Sequence, residues 1–238
     1  MLKYSLCRLC ATHYHDVVYT RYMKKLQRIA VCIWDFDGTL YKQIPALWDQ
    51  IHQTEIDVIV AHTGWSVEKA TVEFYKIYKV ETPSGTTTVS RITGISHADA
   101  SRETSARTNY DVFLHPDPKL NEMFAQLSHY RHLMLVNGSQ ESVTRGLALL
   151  GVPKDNFEEI VTSEIVGETK PSDKGFRYIL DKTGLPAESH VMIGDRELVD
   201  LVPAKTLGIK TCLVWSDTVS AIADVTLPSV YECVNMLG

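Results

Sequence analysis

From Arg28 onward the chain alternates short apolar runs with longer stretches in which apolar residues recur every three or four positions. The short runs are Ala30 to Trp34, Leu133 to Val136, Glu159 to Thr162, Val191 to Ile193 and Lys210 to Val214, with a briefer one at Asp224 to Leu227. Most are nearly continuous in apolar residues, as strands covered on both faces must be. The periodic stretches stop at glycine: Gln140 to Leu150 before Gly151, Asp173 to Thr183 behind a Ser172 cap and before Gly184, Leu198 to Leu207 before Gly208. Glycine takes the left-handed conformation that ends a helix without a steric penalty. Pro203 predicts a kink in the last stretch, or a start of regular helix near Val202. Strands alternating with helices predict an α/β fold, a Rossmann-like parallel sheet between two helical layers.

Residues 41–110 interrupt that alternation and contain no convincing strand. Val67, Ala70, Phe74 and Ile77 behind Ser66 predict one amphipathic helix, and Leu47, Ile51 and Val58 predict another before Gly64. From Glu81 to Asn109 the chain is rich in Thr and Ser, with Gly85 and Gly94 expected to separate short helices. The expected organisation is an N-terminal extension over 1–23, a core formed by 24–40 and 111–238, and a helical insertion over 41–110.

The 238 residues suffice for one buried core and a smaller appendage. With 45% hydrophobic and 22% charged residues the composition is that of a globular protein rather than a disordered one. The formal charge of −5 and the scattered basic residues argue against a nucleic-acid partner. No apolar stretch approaches the roughly 20 residues of a membrane span. Arg8, His13 and His15 interrupt any leader-like apolar segment, so cytoplasmic residence is expected. Five cysteines without framework spacing fit reduced thiols. Cys7, Cys10, His13 and His15 are ligand types for zinc, but they are packed more closely than in zinc fingers. A loose extension ahead of a domain starting near Met23 is the reading preferred over a zinc site.

Four of the apolar runs end in residues suited to phosphate chemistry, and in a parallel sheet those carboxyl ends gather along one edge. After the first come Asp35, Asp37, Gly38 and Thr39: one carboxylate can attack while the other moves protons, unless the segment is only an acidic turn. After the third comes Lys170, a solvated loop residue in isolation, but beside a carboxylate nucleophile a fixed cation for phosphate. The fourth leads into Asp195 and Asp200, either the acidic start of a helix or hard oxygen ligands for Mg²⁺. The second ends at Asn137 and Gly138, a plain turn or a cradle of amides for phosphate at a helix N-terminus.

Taken in order, these segments resemble the haloacid dehalogenase superfamily over roughly Lys24 to Gly238, and its capped phosphatases in particular, such as pyrimidine nucleotidase and phosphoglycolate phosphatase-like members. The resemblance rests on D-x-D-G-T at Asp35 to Thr39, on Lys170, and on Gly194-Asp195 followed by Asp200. It implies Asp35 as nucleophile, Asp37 as general acid and then base, and Lys170 as charge stabiliser. It implies phosphate contacts from Thr39, Asn137, Gly138 and Lys170. Mg²⁺ would be held by Asp35, Asp195, Asp200 and the backbone carbonyl of Asp37, with Asp200 aiding the metal site or orienting Lys170. The insertion would be a small helical cap.

The activity so implied is Mg²⁺-dependent hydrolysis of a small phosphorylated metabolite, a nucleotide or sugar phosphate, through an aspartyl-phosphate. One departure from the pattern is Val136, where the family commonly has Thr or Ser. It keeps open a weakened, phosphate-binding or regulatory protein, beside the enzymatic alternative of a phosphosugar mutase. Asn137, the amides at Gly138, or Ser139 would have to replace the missing donor. Trp48, Trp65, Phe74 and Tyr78 are read as core packing rather than pocket lining, and Tyr41 as a candidate for specificity.

Overall fold

The computed structural model describes residues 25–80 and 84–237. The expected N-terminal extension and its candidate zinc ligands lie outside the described residues. Six strands form one parallel sheet: β1 (Val31–Trp34), β2 (Arg131–Leu135), β3 (Glu159–Val161), β4 (His190–Gly194), β5 (Lys210–Leu213) and β6 (Val225–Thr226). Their order is β3-β2-β1-β4-β5-β6, so β1 is central. The chain builds outward from β1 to β3, then returns to lay β4 on the other side of β1. That reversal opens a crevice at the carboxyl ends of β1 and its neighbours.

Every residue of β1 is buried, and alternate side chains serve different layers. Cys32 and Trp34 join the core on one face with Leu120, Phe124, Leu147 and Met236. Val31 and Ile33 join the other with Phe176, Ile179, Leu201 and Ala204. The first helical layer includes α5 (Pro118–Gln126), α6 (Gln140–Leu150) and α10 (Cys233–Leu237). The second includes α8 (Lys174–Thr183) and α9 (Val202–Thr206). Burial of each large side chain in these layers stabilises the fold by about 1.5–3 kcal/mol before chain entropy is counted.

Between β1 and β2 stand four helices: α1 (Pro45–Thr63), α2 (Val67–Val80), α3 (Gly85–Thr93) and α4 (His97–Arg107). They share a separate apolar core of Ile56, Val58, Ile59, Ala70, Phe74, Val89 and Ala100. Gly64 and Gly94 end α1 and α3 in left-handed conformations, at φ 70° and 81°. Gly85 stands at a helix boundary as the first residue of α3, behind a Ser84 cap that accepts from the Thr87 amide.

Two boundaries depart from the sequence expectation. Ser172 does not cap α8 from the N-cap position; Asp173 stands there, and the Ser172 hydroxyl reaches the Lys174 amide only at 3.4 Å while it donates to Glu168. The stretch before Gly208 is a π-helical turn, Glu197–Leu201, followed by α9 with Pro203 in its first turn. A proline lacks the N–H of a helix interior, and the first turn is where that loss costs nothing. Among the described residues no helix is long and apolar enough to cross a membrane.

Candidate active site

Asp35 is the first residue beyond β1, and its amide donates to the Ile193 carbonyl of β4 at 3.0 Å, which pins it at the crevice. The chain then turns through Gly38 at φ +80°, a conformation that excludes ordinary side chains. A Cβ at Gly38 would also stand 2.4 Å from the Asp195 carboxylate, so the turn can approach β4 only without a side chain. Gly194 answers the same need, since a Cβ there would lie 2.6 Å from that of Asp200. The π-helical turn carries Asp200 back beneath the strand end, where its carboxylate accepts from the Arg196 amide at 3.1 Å.

Lys170 arrives from the loop after β3 and α7 (Ser163–Val166), and its side chain is almost wholly buried. Its ammonium lies 2.7 Å from Asp35 Oδ1 and 2.7 Å from Asp200 Oδ1. Burial alone would drive the ammonium toward its neutral form, but Asp200 and Asp35 outweigh that and raise its pKa. Carboxylate oxygens of Asp35, Asp195 and Asp200 come within 4.8 Å of one another. Two unit charges of like sign 4 Å apart repel by about 4 kcal/mol at an effective dielectric of 20. Burial and the neighbouring acids consequently push Asp195 up to about 7, against the pull of Arg196, and raise Asp200 as well. Asp35 Oδ2 and Asp195 Oδ1 are buried without a hydrogen-bond partner. Hard oxygens left in that condition fit a small divalent cation, and the donor set of Asp35, Asp195 and Asp200 suits Mg²⁺.

Asp37 faces the same pocket but lies outside that trio of carboxylates. Burial raises it to about 6; the Tyr41 hydroxyl, donating to Oδ1 at 2.5 Å, works the other way, and the Asp35 charge adds to the rise. Burial and the nearby Asp37 carboxylate raise the pKa of Tyr110, which lines the pocket beside it. Tyr41 therefore orients Asp37 and does not line the pocket, as a specificity residue would.

The expected phosphate contacts are only partly brought together. Asn137 and Gly138 line the pocket, but the Asn137 side chain is spent on Lys170: it accepts from the Lys170 amide at 2.8 Å and donates to the Lys170 carbonyl at 2.9 Å. Asn137 thus positions the cation, and only backbone remains there for a ligand. Ser139 caps α6 by accepting from the Ser142 amide, so its side chain does not reach in. Val136 points into the apolar core. Thr39 is fully buried in the turn, absent from the pocket wall, and its hydroxyl has no partner. Of the aromatic residues read as core, Phe74 is core and Trp65 packs beside it, whereas Trp48 and Tyr78 line the pocket.

The opposite wall was not singled out from the sequence. Helix α1 presents Trp48, Ile51, His52 and Glu55, and helix α4 presents Ser101, Thr104 and Ser105, with Thr108 at its C-cap. Both sets follow the spacing i, i+3, i+4, i+7 of a single helix face. Arg196, next to Asp195, joins this wall with its guanidinium 5.7 Å from the Trp48 ring centre. The readable signal was the run of hydroxyls at helical spacing in a segment expected to form short helices.

Comparison with known proteins follows this geometry. Residues 32–214, most of the chain, match the family model described as haloacid dehalogenase-like hydrolase. A glyceraldehyde 3-phosphate phosphatase of Methanothermobacter thermautotrophicus is 31% identical over 115 residues, 48% of this chain and 50% of that protein. Pyrimidine 5'-nucleotidase YjjG of Escherichia coli is 40% identical over 60 residues, 25% of this chain and 27% of its own. The matched stretches thus span half or less of these curated relatives. A HAD phosphatase structure from Thermococcus onnurineus superposes with a TM-score of 0.58 at 20% identity, covering 88% of this chain and 98% of that one. The L-2-haloacid dehalogenase of Xanthobacter autotrophicus gives 0.53 at 14% identity, covering 87% and 98%. These two likenesses concern the fold alone.

Proposed function

The chain belongs to the haloacid dehalogenase-like hydrolase family, and on that premise we propose that it is a Mg²⁺-dependent phosphatase acting on a small phosphomonoester. The observation that carries this reading is Lys170, held 2.7 Å from both Asp35 and Asp200 at the sheet edge with Asp195 alongside. An acid cluster built only for structure has no need of a buried ammonium, orphaned carboxylate oxygens and an open pocket together. The curated relatives named as phosphatases support the same chemistry.

In the proposed reaction the Asp35 carboxylate attacks phosphorus in line, forming an Asp35 O–P bond as the bond to the alcohol oxygen breaks. Asp37, oriented by Tyr41, gives its proton to the departing alkoxide. Water then attacks the aspartyl-phosphate, Asp37 takes the water's proton, and Asp35 is released with inorganic phosphate. Lys170 holds Asp35 aligned throughout. A bound Mg²⁺, held by Asp35, Asp195, Asp200 and the Asp37 carbonyl, would supply the positive charge that lets a phosphate dianion enter so acidic a site. The four helices over residues 41–110 act as the cap that closes the pocket from water.

One observation favours a binding protein without turnover: Val136 is buried in the core and gives the phosphate no side-chain donor. Phosphate release from a panel of small esters decides between the two. The expected result is activity that requires Mg²⁺, is lost on chelation, and falls on the order of 10⁴-fold in Asp35→Asn. Tight phosphate binding by the wild type with no release from any ester would establish the binding protein instead. Transfer to a second substrate hydroxyl rather than to water would identify a phosphosugar mutase.

A further inference from the structure

The wall contributed by α1 and α4 is buried, yet it is polar where it meets the pocket. Glu55 is 5% exposed; one of its oxygens pairs with His52 Nδ1 at 2.8 Å. The other lies so close to Gly85 that a Cβ there would stand 1.8 Å away, so α3 tolerates no side chain beside it. Along α4 the hydroxyls carry distinct hydrogen-bond states. Ser101 donates to the Asn137 carbonyl at 3.0 Å, which leaves it able only to accept. Ser105 accepts from the Ser139 amide at 3.4 Å, so its own hydrogen is free to be donated. Thr104 is 7% exposed and its hydroxyl, buried at the pocket wall, has no partner among the described residues.

A buried hydroxyl without a partner costs stability, and a pocket that keeps one is built for a ligand that completes it. Glu55 and Ser101 can accept from a ligand donor, Ser105 can donate to a ligand acceptor, and Thr104, with no partner, needs one of either kind. Alcohol groups meet both demands. A carboxylate or second phosphate can only accept, so it would meet Arg196 but leave Glu55 and Ser101 without a donor. The cavity between Trp48, Tyr78 and Tyr110 is small, about 70 Å³, which favours a short alcohol chain over a nucleobase with its sugar.

We infer that the helical wall selects phosphomonoesters of small, uncharged, polyhydroxylated alcohols, with Glu55 and Thr104 as specificity-determining residues. The inference rests on the phosphatase reading of the same site. Its test uses the full chain with Mg²⁺ and four probes: glycerol phosphate, propyl phosphate as the same skeleton without hydroxyls, phosphoglycolate, and a nucleoside 5'-monophosphate. Hydrolysis gives kcat/KM for each, and calorimetry on Asp35→Asn gives affinity independently of turnover.

Glycerol phosphate should exceed propyl phosphate by roughly tenfold or more, since unpaired polar groups penalise the deoxygenated analogue. Thr104→Val and Glu55→Gln should each lower that ratio severalfold, and Thr104→Ser should restore it. A ratio near one, or preference for phosphoglycolate or the nucleotide, overturns the inference, and the wild-type ratio alone suffices if a variant fails to fold. Hydrolysis of every ester without preference overturns this inference and leaves the phosphatase intact. Preferential binding of glycerol phosphate without turnover does the reverse. Neither binding nor hydrolysis of any probe overturns both.

Discussion

The two walls of the pocket solve opposite problems. At the sheet edge the working groups hold one another: Lys170 lies between Asp35 and Asp200, Asn137 fixes its backbone, Tyr41 fixes Asp37, and the carboxylate oxygens of Asp35 and Asp195 left over are those a cation would take. On the helical side the polar groups that face the pocket are left partly open, and Thr104 wholly so. A site that performs fixed chemistry on a phosphate profits from groups that cannot move. A site that recognises the remainder of a substrate must keep some valence unspent, and that lowers its own stability. The contrast therefore predicts different penalties for substitution on each side.

The largest effect belongs to the sheet edge. Lys170→Met removes the ammonium that contacts Asp35 and Asp200 and leaves the two carboxylates buried together. Without divalent cation, urea unfolding should show a loss of about 3–5 kcal/mol, the usual consequence of stripping one partner from a buried ion pair. Adding Mg²⁺ should recover part of the deficit by replacing the lost charge. A deficit below about 1 kcal/mol would erase the distinction between the walls.

That distinction also governs what was legible in the sequence. The strands and the residues at their carboxyl ends were readable because a strand end is marked by an abrupt change from apolar to polar, as at Trp34-Asp35 and Gly194-Asp195. The partners of these residues were not. Asn137 looked like a phosphate ligand, and only the tertiary approach of the Lys170 loop showed where its amide is spent. Thr39 shares a motif with Asp35, yet the turn that presents Asp35 carries Thr39 inward. Glu55 was invisible because it sits among Ile56, Val58 and Ile59 on a helix whose burial is set by two different neighbours. A helix that faces both an apolar core and a polar pocket has no single apolar stripe to read.

A smaller effect sharpens the comparison by separating charges within the sheet half. Beneath Asp35, His132 Nδ1 accepts from the Trp34 indole at 3.0 Å, and Nε2 faces the Leu127 carbonyl at 3.0 Å. Burial depresses its pKa. Above about pH 6.5 the ring is neutral whether folded or not; below it the unfolded chain takes a proton that the folded protein resists, so this histidine destabilises the fold as pH falls. Asp195 at about 7 and Asp37 at about 6 act in the opposite sense, since the folded protein binds their protons first. Total stability mixes the two. The difference between wild type and His132→Gln, whose amide can keep both contacts, isolates the ring. In chelator, the variant should gain on the wild type below pH 6.5 by at most about 1.4 kcal/mol per pH unit. Parallel stability curves would show that the ring does not titrate differently on folding.

The smallest effect has the opposite sign and tests the helical wall directly. Thr104 and valine have nearly the same shape, so Thr104→Val leaves no cavity and removes only a hydroxyl that has no partner. Elsewhere such a change costs stability because a hydrogen bond is lost. Here there is none to lose, and the burial of an unsatisfied oxygen is relieved. Unfolding of the free protein in urea should show a gain of roughly 0.5–1 kcal/mol. Glycerol phosphate should abolish the gain, because the ligand completes Thr104 in the wild type and finds nothing to bond in the variant. Lost stability in the free protein would mean that the hydroxyl is already satisfied, and the helical wall would then be as closed as the sheet edge it faces.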